Sequence, residues 1–294
     1  MTQMFHEATV LARRQLTPGM VRVTLGGAGM AGFASSGVAD EYLRLFFPHP
    51  ETGRLYLPQI EDGRWLYPDG RDKVCCSTYT VRQFHADQGA VDIDFVLHAG
   101  GRASDWAQSA QPGTRVTINI PHGLYAPPED TAWQVLLADA TGLPALSRIL
   151  EQTPDHLRSS VFVEVAAPEH QQALPAHPKA SVTWLVNSGN AVAPSRLGEV
   201  VRELDWPQTP GYVWAAGEQK AVRAIRKFLR GERHVPPERY SLVGYWIDNG
   251  AEWTSRWQAL PTTVKAAIDA GWESDRDREA VRDDYEATLE KFGL

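Results

Sequence analysis

A short run of polar residues, 78–82, has the composition of a site for a flat, charged ligand. It contains Tyr79, Thr80 and Arg82, with Val81 between them. A Tyr ring can lie against a flat ring system, a Thr hydroxyl can bond to its polar edge, and an Arg guanidinium can hold a phosphate through two hydrogen bonds. A Thr-rich strand with one exposed Arg explains the same residues without a ligand.

A second candidate site begins at His98, directly after a strand-like run. Gly100 and Gly101 follow it, and a short helix is predicted to start at residues 102–104. Glycine lets a ligand approach the backbone, and the unpaired N–H groups of a helix start attract an anion such as a pyrophosphate. A glycine turn capped by Ser104 is the alternative. Together the two runs suit opposite ends of one ligand that carries a ring and a phosphate.

The cysteines and histidines argue against a bound metal cofactor. The two cysteines, Cys75 and Cys76, are adjacent, and neighbouring side chains of a strand point to opposite faces. A disulfide between them would be strained, and an iron–sulfur cluster or structural zinc usually needs four ligands. The nine histidines show no His-Glu-x-x-His motif. Redox chemistry would therefore require an organic cofactor.

Length and charge limit the class of protein. A chain of 294 residues suggests two domains, and a net charge of −7 disfavours nucleic acid as a partner. No run of about 20 uncharged apolar residues is present, so we expect no membrane insertion. Residues 1–20 contain three charged side chains and no continuous apolar stretch, which is unlike a secretory signal. These features predict a cytoplasmic protein.

Residues 1–127 have the pattern of an antiparallel barrel. Apolar residues alternate with Asp92 and Asp94 from position 91 to 97, which is typical of a half-buried strand. About six short strands without a long helix among them favour a small barrel. The predicted strands are residues 7–16, 20–25, 42–47, 77–84, 91–97 and 114–120.

The pattern changes after Pro127 and Pro128, and residues 128–250 alternate between apolar strands and amphipathic helices. This alternation predicts a doubly wound parallel sheet with helices on both faces, which binds ligands at the carboxyl ends of its strands. The predicted strands are residues 133–138, 161–166, 182–186, 212–216 and 240–246, and the predicted helices are residues 143–152, 195–204 and 218–230.

Residues 251–294 are predicted to form a C-terminal helical extension, with one helix over 273–294 and an acidic exposed face. Its aromatic residues supply enough apolar surface to dock on the rest of the chain. The extension would either stabilise the fold by packing or restrict the access of a nucleotide to the parallel sheet.

The order of motifs along the chain resembles the siderophore-interacting protein family, whose members are FAD-dependent ferric-siderophore reductases related to the ferredoxin reductases. The resemblance extends from about Phe5 to Gly250. The motifs are Tyr-Thr-x-Arg at 79–82, Asp-Phe-Val-Leu-His at 94–98, Gly-x-Ala-Ser-x-Trp-Ala at 101–107, Pro-Gly at 112–113, Leu-Leu-Ala-Asp-x-Thr-x-Leu-Pro-Ala at 136–145, Ala-Gly-Glu at 216–218 and Gly-Tyr-Trp at 244–246.

The resemblance implies that the barrel binds FAD. In that family the Tyr and Thr of the strand motif meet the isoalloxazine, the Arg meets phosphate, and the His and the Gly-x-Ala-Ser turn hold the ribityl-pyrophosphate portion. The corresponding residues of this chain are Tyr79, Thr80, Val81, Arg82, His98, Gly101, Ala103 and Ser104.

Two motifs depart from the family's pattern. The family usually has an Arg two residues before the Tyr, where this chain has Ser77, so one charged contact to FAD is missing. The family's Gly-Asp-Glu-Thr motif is Ala-Asp-Ala-Thr in this chain, so Asp139 and Thr141 are retained at a strand end. There they would either reach a flavin or nicotinamide or only cap the next helix. Gly217 and Glu218 open a helix suited to the phosphates of a nicotinamide cofactor, although Glu218 also favours the helix dipole without a ligand.

The implied activity is electron transfer from NADH or NADPH through FAD to a ferric siderophore, which releases ferrous iron. A general NAD(P)H flavin or quinone reductase and a non-catalytic siderophore-binding protein are the alternatives. Siderophore complexes are often anionic, and the candidate cations are Lys220, Arg223, Arg226 and Lys227, which also fit a solvated helix face. The motifs name no catalytic side chain and specify neither the siderophore nor the oligomeric state.

Overall fold

The N-terminal part of the chain is an antiparallel barrel. The computed structural model describes residues 4–61 and 64–294, so the first three residues of the predicted barrel domain lie outside the described part. Seven strands form one sheet in the order β6-β3-β9-β1-β2-β8-β7, and β4 and β5 form a separate hairpin that the sequence pattern did not indicate. The elements are β1 Phe5–Thr17, β2 Met20–Gly26, β3 Tyr42–Phe47, β4 Gln59–Glu61, β5 Arg64–Leu66, β6 Cys75–Thr80, β7 Gln83–His85, β8 Ala90–Val96, α1 Arg102–Ser109 and β9 Arg115–Asn119.

Strand β8 is buried on both faces, although its alternating sequence predicts a half-buried strand. Both acidic side chains have partners on neighbouring strands. Arg22 donates two hydrogen bonds to Asp94, at 2.6 and 2.8 Å, and Thr24 donates one to Asp92 at 2.7 Å. Paired carboxylates can be buried, so the alternation of residue types marked ion pairs and not a solvated face.

The single strand predicted over residues 77–84 is two strands with a corner between them. Strand β6 pairs with β3, whereas β7 pairs with β8. At the corner the Val81 N–H donates to the Glu41 carbonyl at 2.9 Å and the Arg82 N–H donates to the Asp92 carbonyl at 2.8 Å. The chain thus changes hydrogen-bonding partners at Val81, which a run of strand-forming residues does not reveal.

The second part is a parallel sheet of five strands in the order β12-β11-β10-β13-β14. Helix α2 packs on one face, and α3 and α4 pack on the other. Because the chain turns to opposite sides after β10 and β13, the switch point of the doubly wound sheet lies between these two strands. The elements are β10 Trp133–Ala138, α2 Leu143–Gln152, β11 Arg158–Val165, β12 Ala180–Val186, α3 Leu197–Glu203, β13 Gly211–Glu218, α4 Gln219–Lys227 and β14 Tyr240–Trp246.

The C-terminal extension has three helices where the sequence predicts one. They are α5 Gly250–Ala259, α6 Thr262–Glu273 and α7 Arg278–Lys291. Asp277 accepts a hydrogen bond from the Ala280 N–H at 2.9 Å and so caps the start of α7, which explains why the predicted helix over 273–294 begins later. No helix in residues 4–61 or 64–294 is long and apolar enough to cross a membrane.

Candidate functional site

Asp139 joins three sequence motifs at the switch point of the parallel sheet. Its Oδ1 accepts hydrogen bonds from the Thr141 backbone N–H at 2.8 Å and from the Thr141 hydroxyl at 2.6 Å. Its Oδ2 accepts from the Glu218 N–H at 2.9 Å and from the Trp246 indole N–H at 2.6 Å. The buried carboxylate therefore ties together the carboxyl ends of β10, β13 and β14.

Close packing leaves this carboxylate no free position for a reacting proton. Burial raises the pKa of Asp139, while the hydrogen bonds from Thr141, Trp246 and the Glu218 backbone oppose the rise. A Cβ on Gly217 would lie 2.6 Å from Asp139 Oδ2, which requires glycine at that position. Since a carboxylate has about four lone-pair directions, four donors saturate it. Asp139 thus orients the surrounding backbone.

The structure therefore brings together Asp139, Thr141, Gly217 and Glu218 as a group. Helix α2 has no side-chain cap, so Asp139 and Thr141 do not serve as its cap. Glu218 does cap α4, because its Oε2 accepts from the Ala221 N–H at 3.0 Å.

The strand motif lies where the barrel meets the parallel sheet. The Thr80 side chain is buried and lies near Tyr245 of β14, where it opposes part of the rise in the pKa of that phenol. Burial raises the pKa of Tyr245, and the nearby Asp40 adds to the rise. This contact places Thr80 at the junction of the barrel and the sheet, on the side where β13 and β14 end.

Tyr79 is half-buried against the barrel core, next to the turn that carries the second candidate site. Its ring centroid lies 4.3 Å from that of Phe95, and Phe95 lies 5.7 Å from Trp106 of α1. Burial raises the pKa of Tyr79 to about 12, so the phenol keeps its proton and can donate a hydrogen bond. Phe95 thus connects the strand motif to the helix of the second motif.

Arg82 is held by a carboxylate of the parallel-sheet part. Its guanidinium forms two hydrogen bonds with Glu151 near the end of α2, at 2.6 and 3.0 Å. The sequence suggested either an exposed Arg or a phosphate-binding Arg. The structure shows instead an Arg paired with a carboxylate of the same chain. A ligand phosphate would have to share or replace Glu151.

The turn before α1 is exposed or half-buried over residues 98–102, and Ala103 and Ser104 behind it are buried. The Ser104 hydroxyl accepts from the His98 N–H and donates to the His98 carbonyl, both at 2.9 Å. A Cβ on Gly101 would overlap the His98 ring, and Gly100 adopts a positive φ of 75°. The predicted capping role of Ser104 is not observed, since Gly101 is the N-cap residue of α1 and no side chain caps the helix.

These features fit a flavin dinucleotide. The exposed glycine turn and the start of α1 at Arg102, which no side chain caps, suit a pyrophosphate, while Ala103 and Ser104 are buried behind them. The protonated Tyr79 phenol and the Thr80 hydroxyl suit the polar edge of a ring. The structure brings the strand motif and the turn motif together through Phe95, and it brings Asp139 and its partners to the same junction through Tyr245.

A cavity of about 660 Å³ opens at the carboxyl ends of β12, β13 and β14. Its walls are the loop 189–195, the starts of α3 and α4, and the residues after β14. Arg202 and Lys220 supply positive charge, whereas Glu199, Glu218 and Asp248 supply negative charge. Its size and position suit a nucleotide, because open α/β sheets bind ligands outside the carboxyl ends of their strands.

Glu164 shapes the loop of this cavity. Its buried Oε1 accepts from the Ser188 hydroxyl at 2.6 Å and from the Arg196 N–H at 2.5 Å. Burial raises the pKa of Glu164, and these hydrogen bonds oppose the rise. The loop includes Gly189 at a φ of 58° and Ala191 at a φ of 59°, a left-handed conformation that is rare for alanine.

Three cations predicted as siderophore contacts have a different role. Arg226 bonds to three carboxylates of α7, Lys227 lies 3.3 Å from Glu290, and Arg223 donates to the Leu294 carbonyl at 2.8 Å. They dock the C-terminal extension on α4. Lys220 alone of the four lines the cavity.

Sequence reasoning missed three buried charged residues at the junction, Asp40, Glu41 and Arg148. Arg148 lies in a helix whose residues 143–150 are all buried. Six of these eight residues are apolar, and an Arg in such a run was the signal for a buried cation, which requires a partner.

Comparison with known proteins adds two family matches. The model of the siderophore-interacting protein family matches residues 131–249, and the model of the siderophore-interacting FAD-binding domain matches residues 9–125. The chain is 32% identical to ferric vibriobactin reductase ViuB of Vibrio cholerae over 238 residues, which cover 80% of this chain and 86% of that protein. It is 31% identical to the NADPH-dependent ferric-chelate reductase of Escherichia coli over 245 residues, with coverages of 82% and 92%.

Solved structures agree with these matches. A siderophore utilization protein from T. fusca superposes with a TM-score of 0.72 at 36% identity, covering 84% of this chain and 95% of that one. A ferredoxin NADP+ reductase from Neisseria gonorrhoeae, with bound FAD and NADP, superposes with a TM-score of 0.57 at 14% identity, covering 83% and 100%. The second likeness shows a common fold.

Proposed function

Because the chain belongs to the siderophore-interacting protein family, we propose that it is an NAD(P)H-dependent reductase that uses FAD to reduce ferric siderophores. The observation that carries the proposal is the position of the strand motif between two other groups. Thr80 and the Asp139 cluster lie where the barrel contacts the carboxyl ends of the parallel strands, and Tyr79 is connected through Phe95 to α1, which follows the turn motif.

FAD, when bound, would couple the two-electron chemistry of NAD(P)H to the one-electron reduction of ferric iron. The ferrous product is held less tightly by the siderophore than the ferric ion. The chain contributes binding and orientation. The first-turn N–H groups of α1 and the guanidinium of Arg82 bind phosphate, and the Tyr79 phenol and Thr80 hydroxyl hold the polar edge of the ring. The saturated Asp139 keeps the loops in place and transfers no proton.

The cavity beside α3 and α4 is the proposed site of the nicotinamide nucleotide. Lys220 and Arg202 line it and supply cations for phosphate groups. Arg202 is also paired with Glu232 at 3.0 Å, so Lys220 is the more available of the two. We place the FAD-binding barrel at residues 1–127, the nicotinamide-binding domain at 128–250 and the extension at 251–294.

The proposed location is the cytoplasm. Cys75 and Cys76 are both free thiols, and thiols persist in a reducing compartment.

The test is anaerobic mixing of the FAD-loaded protein with NADH or NADPH and a panel of catecholate and hydroxamate ferric siderophores, with a ferrous trap present. Formation of the trapped ferrous complex, dependent on both FAD and nucleotide, is expected. Reduction of quinones with no ferrous product would favour a general reductase. Binding of the ferric siderophore without FAD binding would favour a non-catalytic siderophore-binding protein.

A further inference from the structure

We propose that Arg148 is a positioning residue that fixes the Thr80–Arg82 strand end against the parallel-sheet part of the molecule. The side chain leaves the middle of α2 and reaches the barrel. It is 6% exposed, and its Nη1 donates to Glu41 Oε1 at 3.0 Å and to the Val81 carbonyl at 2.5 Å. The Val81 peptide lies directly between Thr80 and Arg82, so a shift at this carbonyl moves both neighbours.

Val81 is held from both sides by the same pair of residues. Its N–H donates to the Glu41 backbone carbonyl at 2.9 Å, and its own carbonyl accepts from Arg148. Arg148 in turn bonds to the Glu41 side chain. The three residues form a closed ring of hydrogen bonds, which leaves the strand end little freedom.

Glu41 is itself tightly fixed in the barrel. Its carboxylate is fully buried and accepts from the Ser35 hydroxyl at 2.6 Å, the Ser36 hydroxyl at 2.6 Å and the Ser36 N–H at 2.5 Å. Arg148 therefore contacts an acceptor that three other hydrogen bonds hold in place. Glu41 fixes the guanidinium, and the guanidinium in turn fixes the Val81 carbonyl.

The preceding residue, Asp40, makes a second connection between the two parts of the molecule. Its Oδ2 accepts from the Trp214 indole N–H of β13 at 3.1 Å, and its Oδ1 accepts from the Leu124 and Tyr125 N–H groups at 2.7 and 2.8 Å. Adjacent carboxylates thus reach β13 and α2. With two separate contacts, the barrel cannot rotate on the sheet without breaking a buried hydrogen bond.

The inference rests on the proposed function only because FAD is the ligand in its test. Arg148→Met alone would leave Glu41 buried without its cation, so the main variant is Glu41→Gln with Arg148→Met, which removes both charges together. Arg148→Lys keeps the charge but replaces the planar fork. The control is Arg239→Met, which breaks an ion pair of 2.7 Å with Asp130 away from the strand end.

The readouts are the FAD dissociation constant of the full-length apoprotein, the visible circular dichroism of bound FAD and the melting temperature of the apoprotein. We expect the double variant to bind FAD about tenfold more weakly, the fold-change that follows the loss of one or two hydrogen bonds. We expect an altered flavin dichroism band, and for Arg148→Lys an intermediate dissociation constant. Arg239→Met should match the parent protein in both FAD readouts.

The inference is overturned if the double variant and Arg148→Lys both bind FAD with the parent's dissociation constant and dichroism, even if the melting temperature falls. Should the double variant fail to fold, Arg148→Lys alone tests the inference. Weaker FAD binding than in the parent supports it, and the parent's dissociation constant and dichroism overturn it. A parent protein that binds no FAD, or binds it without reducing any ferric siderophore, would contradict the proposed function instead.

Discussion

Asp139 is held by four hydrogen bonds at the carboxyl ends of the parallel strands, and we propose that it orders the redox site without taking part in the chemistry. Each of its oxygens accepts two hydrogen bonds, from groups on three different chain segments. Backbone N–H and indole donors cannot change their hydrogen-bonding role, so they require an acceptor. The carboxylate is needed for its lone pairs.

We predict that Asp139→Asn lowers the free energy of unfolding by about 1–3 kcal/mol, although Asn has the same shape. With the amide NH2 toward Thr141, the Thr141 hydroxyl can reverse and accept, but the Thr141 backbone N–H loses its acceptor, and an unsatisfied buried donor costs roughly 1–3 kcal/mol. Urea unfolding of the apoprotein measures the change. The exposed Asp155→Asn is the control, and equal stabilities of the two variants would contradict the role given to Asp139.

A second prediction concerns Arg82. Arg82→Ala should weaken FAD binding by about one to two decades, because a charged hydrogen bond to phosphate contributes roughly 1.5–3 kcal/mol. Glu151→Gln is the matched variant, since it removes the same ion pair but leaves the guanidinium in place. Fluorescence titration of the apoproteins with FAD should show weakening in the first variant only. Equal weakening in both would mean that the ion pair, and not a phosphate contact, supports FAD binding.

At the scale of elements, α4 presents two different faces. Lys220, Ala221 and Ala224 line the cavity, whereas Arg223, Arg226 and Lys227 bond to the C-terminal extension. The 2% exposed Arg226 contacts Glu279 at 2.6 Å, Asp283 at 2.5 Å and Glu286 at 3.0 Å. The extension therefore docks beside the cavity and not across it, which favours packing over restricted access of the proposed nucleotide.

We predict that Arg226→Ala releases α7, because three neighbouring carboxylates lose their shared cation and repel one another. Limited proteolysis should then cut faster between α6 and α7, at residues 274–277. On the packing interpretation the Michaelis constants for NADH and NADPH stay at the parent's values. A lower Michaelis constant for either nucleotide would show that the extension restricts access.

The same docking surface should depend on pH. Burial opposes the ionisation of Asp283, but hydrogen bonds from Arg230 and Arg226 outweigh it and lower the pKa of this carboxyl. A lowered folded-state pKa stabilises the protein above the unfolded value, about 4, and this contribution is lost as pH falls through the folded value. The melting temperature of Asp283→Asn should lie below the parent's at neutral pH, and the gap should close below about pH 4. The exposed Asp275→Asn should show no such gap.

At the scale of the whole molecule, a ligand that contacts both parts should stabilise them together. FAD at about 100 times its dissociation constant should add about 2.7 kcal/mol to the free energy of unfolding. Thermal unfolding of the apoprotein with increasing FAD measures this shift. Riboflavin is the comparison, because it has the ring but lacks the pyrophosphate that the start of α1 is proposed to bind. The same shift with riboflavin at the same concentration as FAD would contradict a phosphate site there.

The architecture itself was largely predictable from the sequence. The spacing of apolar residues predicted β10, α2 and β14 with the bounds that the structure shows. Buried strands and amphipathic helices can be predicted in this way because their residue patterns are local. The ordered motifs also identified the family, since each motif serves a local turn or strand end. The barrel was predicted as well, apart from the hairpin of β4 and β5 and the corner at Val81.

What the sequence determined by itself is the set of elements and the residues offered at their ends. Only the tertiary structure decided the partners of those residues: Glu151 for Arg82, and carboxylates of α7 for Arg226 and Lys227 of α4. The contact between Arg148 and Glu41 joins residues 107 positions apart in the chain. Such pairings depend on how whole elements pack, and packing is set by the fit of complete surfaces. A local sequence pattern can therefore identify a charged residue, but it does not identify the residue with which that side chain pairs.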